Sequence, residues 1–230
     1  MLDGITVYNP SHLGGVFSNF IVDGVKEAEL IKGAYNAEYG GRLSAVLNVI
    51  SREGNKNQFK GKANLSLLSA QTTLEGPFYK GAWILSGRRT YFDLVLPKVL
   101  PAETAENIPP YYFYDIQGHV FSDLSPKDRF SLSYYSGIDD IFFDTFGLNG
   151  RWGNNTISAH YRRVFNEKLV GNFLVANSQF FTSFGLGGDN GLVSYNEIDD
   201  KTLSADFSWF KTSESTLKFG AQLKKLGFEY

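Results

Sequence analysis

VKEAELIKGAYNAEYGGRLSAVLNVISREGN, running from Val25 to Asn55, carries two short strand signals around a glycine-bearing centre. Glu29-Leu30-Ile31 and Val46-Leu47-Asn48-Val49-Ile50 are rich in residues that favour a pleated backbone. Between them stand Gly33, Tyr35, Tyr39, Gly40, Gly41 and Arg42. A Gly-Gly pair suits positive-φ backbone, or a close approach that a Cβ would obstruct. The stretch therefore reads as a small strand-turn-strand unit whose middle folds tightly against a neighbour.

Upstream, Ile5-Thr6-Val7-Tyr8 reads as a strand and Asn9-Pro10-Ser11 as a turn. Phe17 to Phe20 and Asp23 to Lys26 read as a short helix and turn. Ser51 to Lys56 is polar and charged, as a linker would be. Residues 1 to about 57 are thus expected to be mixed α/β with short elements.

From Gln58 onward the pattern changes to alternation with period two, the signature of strands with two unlike faces. Phe59, Gly61, Ala63, Leu65 and Leu67 share one face, and Lys60, Lys62, Asn64 and Ser66 the other. Tyr112 to Val120 sets Tyr112, Tyr114, Ile116 and Val120 against Asp115, Gln117 and His119. Phe130, Leu132 and Tyr134 oppose Arg129, Ser131 and Ser133; Ile157, Ala159 and Tyr161 oppose Ser158, His160 and Arg162. Leu203, Ala205, Phe207 and Trp209 oppose Ser204 and Asp206, and Leu217 to Leu223 opposes Lys218, Gln222 and Lys224. With the less regular Ala82–Tyr91 and Leu169–Phe181 and a short run at Thr72–Pro77, about nine strands are expected.

The connections alternate in length. Pro77–Gly81, Ser125–Asp128, Asn166–Lys168 and Thr212–Ser215 read as short turns; Phe92–Pro110, Asp139–Asn155 and Phe184–Asp199 read as long loops. Aromatic residues gather at both strand ends: Trp83, Phe130, Phe165 and Trp209 by the turns, and Tyr91, Tyr111, Tyr112, Phe180 and Phe181 by the loops. Alternation alone fits a soluble β-sandwich equally well. Unequal rims and aromatic girdles favour an outer-membrane barrel.

The stretch quoted first also resembles a known signature. Lys32-Gly33, then Tyr39-Gly40-Gly41-Arg42, then Leu47-Asn48-Val49 is similar to the pattern of the plug domain in TonB-dependent outer-membrane receptors. LDGITVYNPSHLGGVFSNF, from Leu2 to Phe20, resembles the preceding plug strand and loop in the Bacteroidetes-type variant. The resemblance covers Leu2 to about Asn57. It implies a C-terminal part of a plug over residues 1–57 and the N-terminal strands of a transmembrane β-barrel over 58–230. The implied fold is mainly β: a partial, open antiparallel barrel preceded by a small α/β plug segment. Such receptors are plugged barrels of about 22 strands.

The same resemblance implies active import of a scarce, bulky ligand across the bacterial outer membrane: a siderophore, cobalamin, glycan or peptide. The implied partners are the TonB–ExbB–ExbD complex, which pulls on an N-terminal TonB box, together with outer-membrane lipid. A surface lipoprotein partner is also compatible with it. Lys32, Gly33, Tyr39, Gly40, Gly41 and Arg42 would be structural residues of the plug, with Glu38 and Arg42 facing charges on the barrel wall.

Composition narrows the alternatives. A net charge of −2 over 230 residues argues against a nucleic-acid binder. Without cysteine there is neither a disulfide framework nor a thiolate metal site. No run of 18 apolar residues could form a membrane helix, and a barrel would leave no such run. MLDGITV lacks the basic and apolar regions of a signal peptide, so an exported protein of this kind is expected to begin upstream.

Candidate chemistry is sparse. Asp139-Asp140 and Asp199-Asp200 read as solvated loop charge, since neighbours on extended chain point opposite ways. Gly185 to Gly191 lacks the spaced oxygen ligands of a calcium loop. His12, His119 and His160 are too scattered for zinc, and the latter two are expected to line the barrel lumen. Arg88-Arg89, Arg162-Arg163 and Lys224-Lys225 each place one charge on each strand face. No nucleophile–base pair is visible, so neither an enzyme (an outer-membrane lipase, for example) nor a cofactor is expected. The remaining alternative is a soluble carbohydrate-binding β-sandwich.

Overall fold

The computed structural model describes residues 1–33, 36–41, 44–105, 108–143, 147–187 and 191–230. Its bulk is one nine-stranded antiparallel sheet, built in chain order. The strands are β5 (Lys60–Leu65), β6 (Ser69–Phe78), β7 (Gly81–Thr90), β8 (Tyr111–Ser125), β9 (Asp128–Phe143), β10 (Leu148–Asn166), β11 (Leu169–Leu186), β12 (Leu192–Phe210) and β13 (Thr216–Glu229). The sheet is open: β5 and β13 are its two edges and do not pair with each other. Each of the nine strands read from the alternation is present. Ahead of them lie two small ladders, β1 (Ser11–His12) with β2 (Phe17–Ser18), and β3 (Val25–Lys32) with β4 (Ala45–Ser51).

The alternation sorts the sheet into two faces as expected. Asp115, Gln117, Ser133, Tyr135, Thr156, Ser158, Ser178, Thr202 and Ser204 are buried, because the N-terminal segment covers that inner face. Leu85, Ile116, Leu132, Ile157, Val175, Leu203 and Phe219 remain exposed on the other. Each basic pair is split as predicted: Arg88 turns inward to Asp115, while Arg89 lies outward over the Tyr112 ring. Two small apolar clusters join segment to sheet. Leu2, Phe20 and Val49 meet Tyr135, and Ile5 meets Leu174 and Ala176.

Several expectations need correction. Asp139–Asn155 and Phe184–Asp199 are mostly ladder rather than long loop, since Asn149 pairs with Phe142 and Ser183 with Tyr195. The 92–110 connection is long, and carries helices α1 (Phe92–Val99) and α2 (Ala102–Ala105). Ile5–Tyr8 is not a strand. Its backbone bonds to side chains of the inner face instead, with Ser178 Oγ donating to Thr6 O at 2.6 Å and Tyr8 N donating to Asn154 Oδ1 at 3.2 Å. Phe17-Ser18 is strand and Val22–Gly24 a single 3-10 turn, where a short helix was expected. Tyr111 points inward instead of joining the rim of aromatics.

Candidate functional site

The candidate site is the seam between the N-terminal segment and the inner face. Its centre is His12. The β1–β2 hairpin pairs His12 with Phe17 across a turn in which Leu13, Gly14 and Gly15 all have positive φ. That turn leaves Leu13 and Val16 exposed and drives His12 into the sheet, where it is 0% exposed. Its ring lies flat on Phe113, with centroids 4.0 Å apart.

Both imidazole nitrogens meet carboxylates: Nδ1 is 2.6 Å from Asp139 Oδ2 and Nε2 is 2.8 Å from Asp115 Oδ1. Asp115 also accepts from Arg88 Nε at 2.8 Å and from the Tyr135 hydroxyl at 2.9 Å. Asp139 accepts from the Tyr111 hydroxyl and, at 3.4 Å, from Leu13 N. Gly137 makes room for this cluster, since a Cβ there would lie 2.0 Å from the Tyr135 hydroxyl. Burial lowers the His12 pKa. The hydrogen bonds and charges of Asp115 and Asp139 outweigh that and hold it above the ordinary 6.5. Charges here balance with His12 protonated: imidazolium and Arg88 guanidinium against two carboxylates.

Further tethers run along the seam. Asp23 accepts from Lys62 at 2.7 Å, Asn64 at 3.0 Å and Gln71 at 2.6 Å. Arg52 grips Glu75 with both oxygens within 3.1 Å. His160 Nε2 lies 2.8 Å from Asp3 O, and the Tyr8 hydroxyl donates to Asp200 at 2.9 Å. Lys224 reaches the same carboxylate at 3.0 Å. His119 and His160 do line the inner face, with His119 Nδ1 2.9 Å from Ser133 Oγ.

Asp139 and Asp200 are therefore not solvated loop charge. They are 2% and 1% exposed, on strands, and paired. Sequence reading missed the His12 cluster because its members lie up to 127 residues apart. The available signals were an acidic residue on an inner face at Asp115, and a histidine two residues ahead of the Gly14-Gly15 pair.

The signature residues lie elsewhere. Lys32 ends β3 opposite Ala45; Gly33 follows with φ 67°, and Tyr39 closes a single 3-10 turn. Of the glycine pair, Gly41 has φ 73° while Gly40 has φ −53°. No described residue lies within 4 Å of a Cβ at Gly33 or Gly41, so backbone angle and not close approach calls for glycine there. Lys32, Gly33, Gly40 and Gly41 are exposed, contrary to a tightly packed centre. Glu38 meets Lys218 of the inner face at 3.5 Å. Arg42 and Tyr35 lie outside the described residues, as do residues 188–190 of the glycine-rich 185–191 stretch. Among the described residues no group of His, Asp or Glu is arranged to hold a metal.

An open wall of antiparallel strands with an N-terminal segment seated on its polar inner face is the architecture of a β-barrel fragment. A mutant of the ferric enterobactin receptor (PfeA) from Pseudomonas aeruginosa has this fold, with a TM-score of 0.71 over 100% of this chain at 15% identity. This chain spans 41% of that one. No family model matches the sequence, and no curated protein does.

Proposed function

We propose that the chain is part of a TonB-dependent outer-membrane receptor, with residues 1–57 the end of its plug and 58–230 the first strands of its transmembrane barrel. One observation carries this reading: the sheet is polar and bonded to the N-terminal segment on one face, and apolar and uncovered on the other. On β12 the apolar outer residues run from Leu203 to Trp209, bracketed by Lys201 and Lys211. That bracket spans about 33 Å of strand at ~3.3 Å per residue, or about 25 Å in height for a strand tilted roughly 40°, which is the height of a barrel's lipid-facing band. Tyr161, Phe165, Phe130 and Trp209 border the band on the short-turn side. On the loop side its limit shifts from Lys201 on β12 to Asp140 on β9, oblique to the strand register as tilted strands require.

A soluble β-sandwich would bury this outer face under a second sheet; the described residues leave it open. Within the receptor reading, the plug signature from Lys32 to Arg42 is structural, and the Bacteroidetes-type variant rests on the sequence from Leu2 to Phe20. The imported ligand is scarce and bulky, a siderophore, cobalamin, glycan or peptide. The likeness to a ferric enterobactin receptor makes a ferric siderophore the first to try. TonB–ExbB–ExbD would supply energy, outer-membrane lipid would surround the sheet, and a surface lipoprotein could cover the loops. The reading is of transport, without catalysis or a cofactor.

The test is growth and labelled-ligand uptake by a deletion strain of the source bacterium on defined iron, cobalamin, glycan or peptide sources, with and without TonB. Loss of TonB-dependent uptake of one class identifies the ligand. Undiminished uptake of every class, or a protein that fractionates with the soluble material, rejects the proposal.

A further inference from the structure

The geometry points to His12 as a proton-operated latch: protonated, it locks the β1–β2 hairpin onto the inner face through Asp115 and Asp139, and on losing its proton it lets the hairpin lift. This rests on the receptor reading for its role in transport, since it would set how readily the plug loosens from the barrel wall. The latch itself is a property of these residues in any setting.

The first argument is a count of donors. Ionised carboxylates only accept hydrogen bonds, and both imidazole nitrogens face one, so both nitrogens must carry hydrogen. A neutral imidazole has a single N–H. Whichever tautomer forms, one nitrogen lone pair is then aimed at a buried carboxylate oxygen less than 3 Å away. Acceptor faces acceptor with no water between, an arrangement that burial makes especially unfavourable.

Charge gives the second argument. The groups facing His12 are Arg88 from β7, Tyr111 and Asp115 from β8, and Tyr135 and Asp139 from β9. Among the described residues the elements beyond add no ionisable partner to His12. α1 contributes the Phe92 ring, packed on Tyr111 and Phe17, and its Asp93 turns away to Arg89. β10 contributes Asn154, which is engaged with Tyr8 and Asn9. Both tyrosine hydroxyls already donate to the carboxylates and have no second hydrogen to offer. Loss of the imidazolium proton therefore leaves two buried carboxylates against one guanidinium.

Leverage is the third argument. Outside this cluster the hairpin is held by its own ladder and by the Phe17 ring, which is tilted against Phe92 and Phe113. Its two-pair ladder is Ser11 with Ser18 and His12 with Phe17. Arg88, itself held by Asp115, donates to Ser18 O at 2.6 Å, and Leu13 N donates to Asp139, so both bonds depend on the carboxylates that hold His12. The Leu13–Val16 tip is exposed, and anything that presses on it pulls directly on the latch. The sign follows from the raised pKa: the stabilisation is complete below the ordinary 6.5 and is lost as pH rises through the higher folded value.

Hydrogen-exchange protection of residues 11–20, corrected for intrinsic rates, tests this in the full-length protein in nanodiscs from pH 6 to 9. Protection should fall with rising pH by about tenfold for each unit separating the folded from the unfolded pKa. His12→Gln, which has no proton to lose, should give low protection independent of pH. Asp139→Asn keeps the imidazole but removes one carboxylate, so the fall should persist with its midpoint at lower pH. Protection flat with pH in the wild type, or an unchanged slope in His12→Gln, overturns the latch. Should uptake prove independent of TonB while the pH-dependent protection stands, the receptor reading fails and the latch does not.

Discussion

At Gly137 and Gly41 glycine is required for opposite reasons, and the two can be told apart. Gly137 sits on the inner face beneath the His12 cluster. A Cβ there would lie 2.0 Å from the Tyr135 hydroxyl and 2.7 Å from Asp115 Oδ1. Tyr135 is fully buried and cannot swing aside. Gly137→Ala should therefore cost about 1–3 kcal/mol by overpacking and separate Tyr135 from Asp115. Increased proteolysis of residues 1–20 in the folded protein reports it. Gly118, on the outer face of β8, is the control. A Cβ there meets Leu85 at 3.5 Å, an ordinary contact, and Gly118→Ala should leave that proteolysis unchanged. Gly41 has open space but φ 73°, so Gly41→Val should cost more than about 1 kcal/mol through backbone strain alone. Its effect should stay local, seen as faster cleavage between Lys32 and Ala45 with the sheet intact. Equal behaviour of Gly137→Ala and Gly118→Ala would remove the steric account of the cluster.

Strands were legible from the sequence where the outer face is apolar and illegible where it is not. Between Phe130 and Tyr134, or Leu203 and Trp209, a period of two is plain because one face carries apolar side chains and the other hydroxyls and charges. Past Ile138 the outer residues include Asp140 on β9 and Arg151 on β10, while Ile141 and Phe142 put apolar side chains on opposite faces, so the two faces no longer differ. The alternating signal vanishes there while the backbone ladder continues, with Gly150 pairing Ile141. Hence the acidic and glycine-rich ends of β9 to β12 read as loop. The seam was legible only as a polar face, since nothing local announces that Asp115 and Asp139 converge on His12. The apolar stretch makes its own prediction. Ile157 is half-exposed midway between Arg151 and Arg163 on the outer face of β10, and in water an arginine there would change stability by less than about 0.5 kcal/mol. Facing lipid, Ile157→Arg should cost about 2–4 kcal/mol. Gln222→Arg, on the inner face of β13, should cost far less. Unfolding of the full-length protein from lipid vesicles measures both, and equal costs would contradict the assignment of faces.

For the molecule as a whole, the decisive feature is that a nine-stranded sheet has two edges. Among the described residues β5 pairs only with β6, and β13 only with β12, so each presents a row of backbone N–H and C=O groups without a partner strand. Outer-membrane barrels avoid this by closing, because lipid offers an unpaired backbone group nothing to bond and each costs several kcal/mol. β13 is also unlike a protective edge strand, having Leu217, Phe219 and Leu223 exposed along a stretch of fourteen residues. Residues 1–230 expressed alone should accordingly aggregate, and refolding into detergent should yield poorly defined oligomers joined edge to edge. Cysteines can read the edges directly, since the chain has none of its own. With cysteine placed at Ala63 on β5 and at Ala221 on β13, oxidation of the 230-residue chain should yield crosslinks between chains and none within one. In the receptor proposed above both edges should pair with further strands, and neither crosslink should form. An efficient Ala63→Cys to Ala221→Cys disulfide within a monomer of the 230-residue chain would mean that nine strands close by themselves, and the open-wall reading would fall with it.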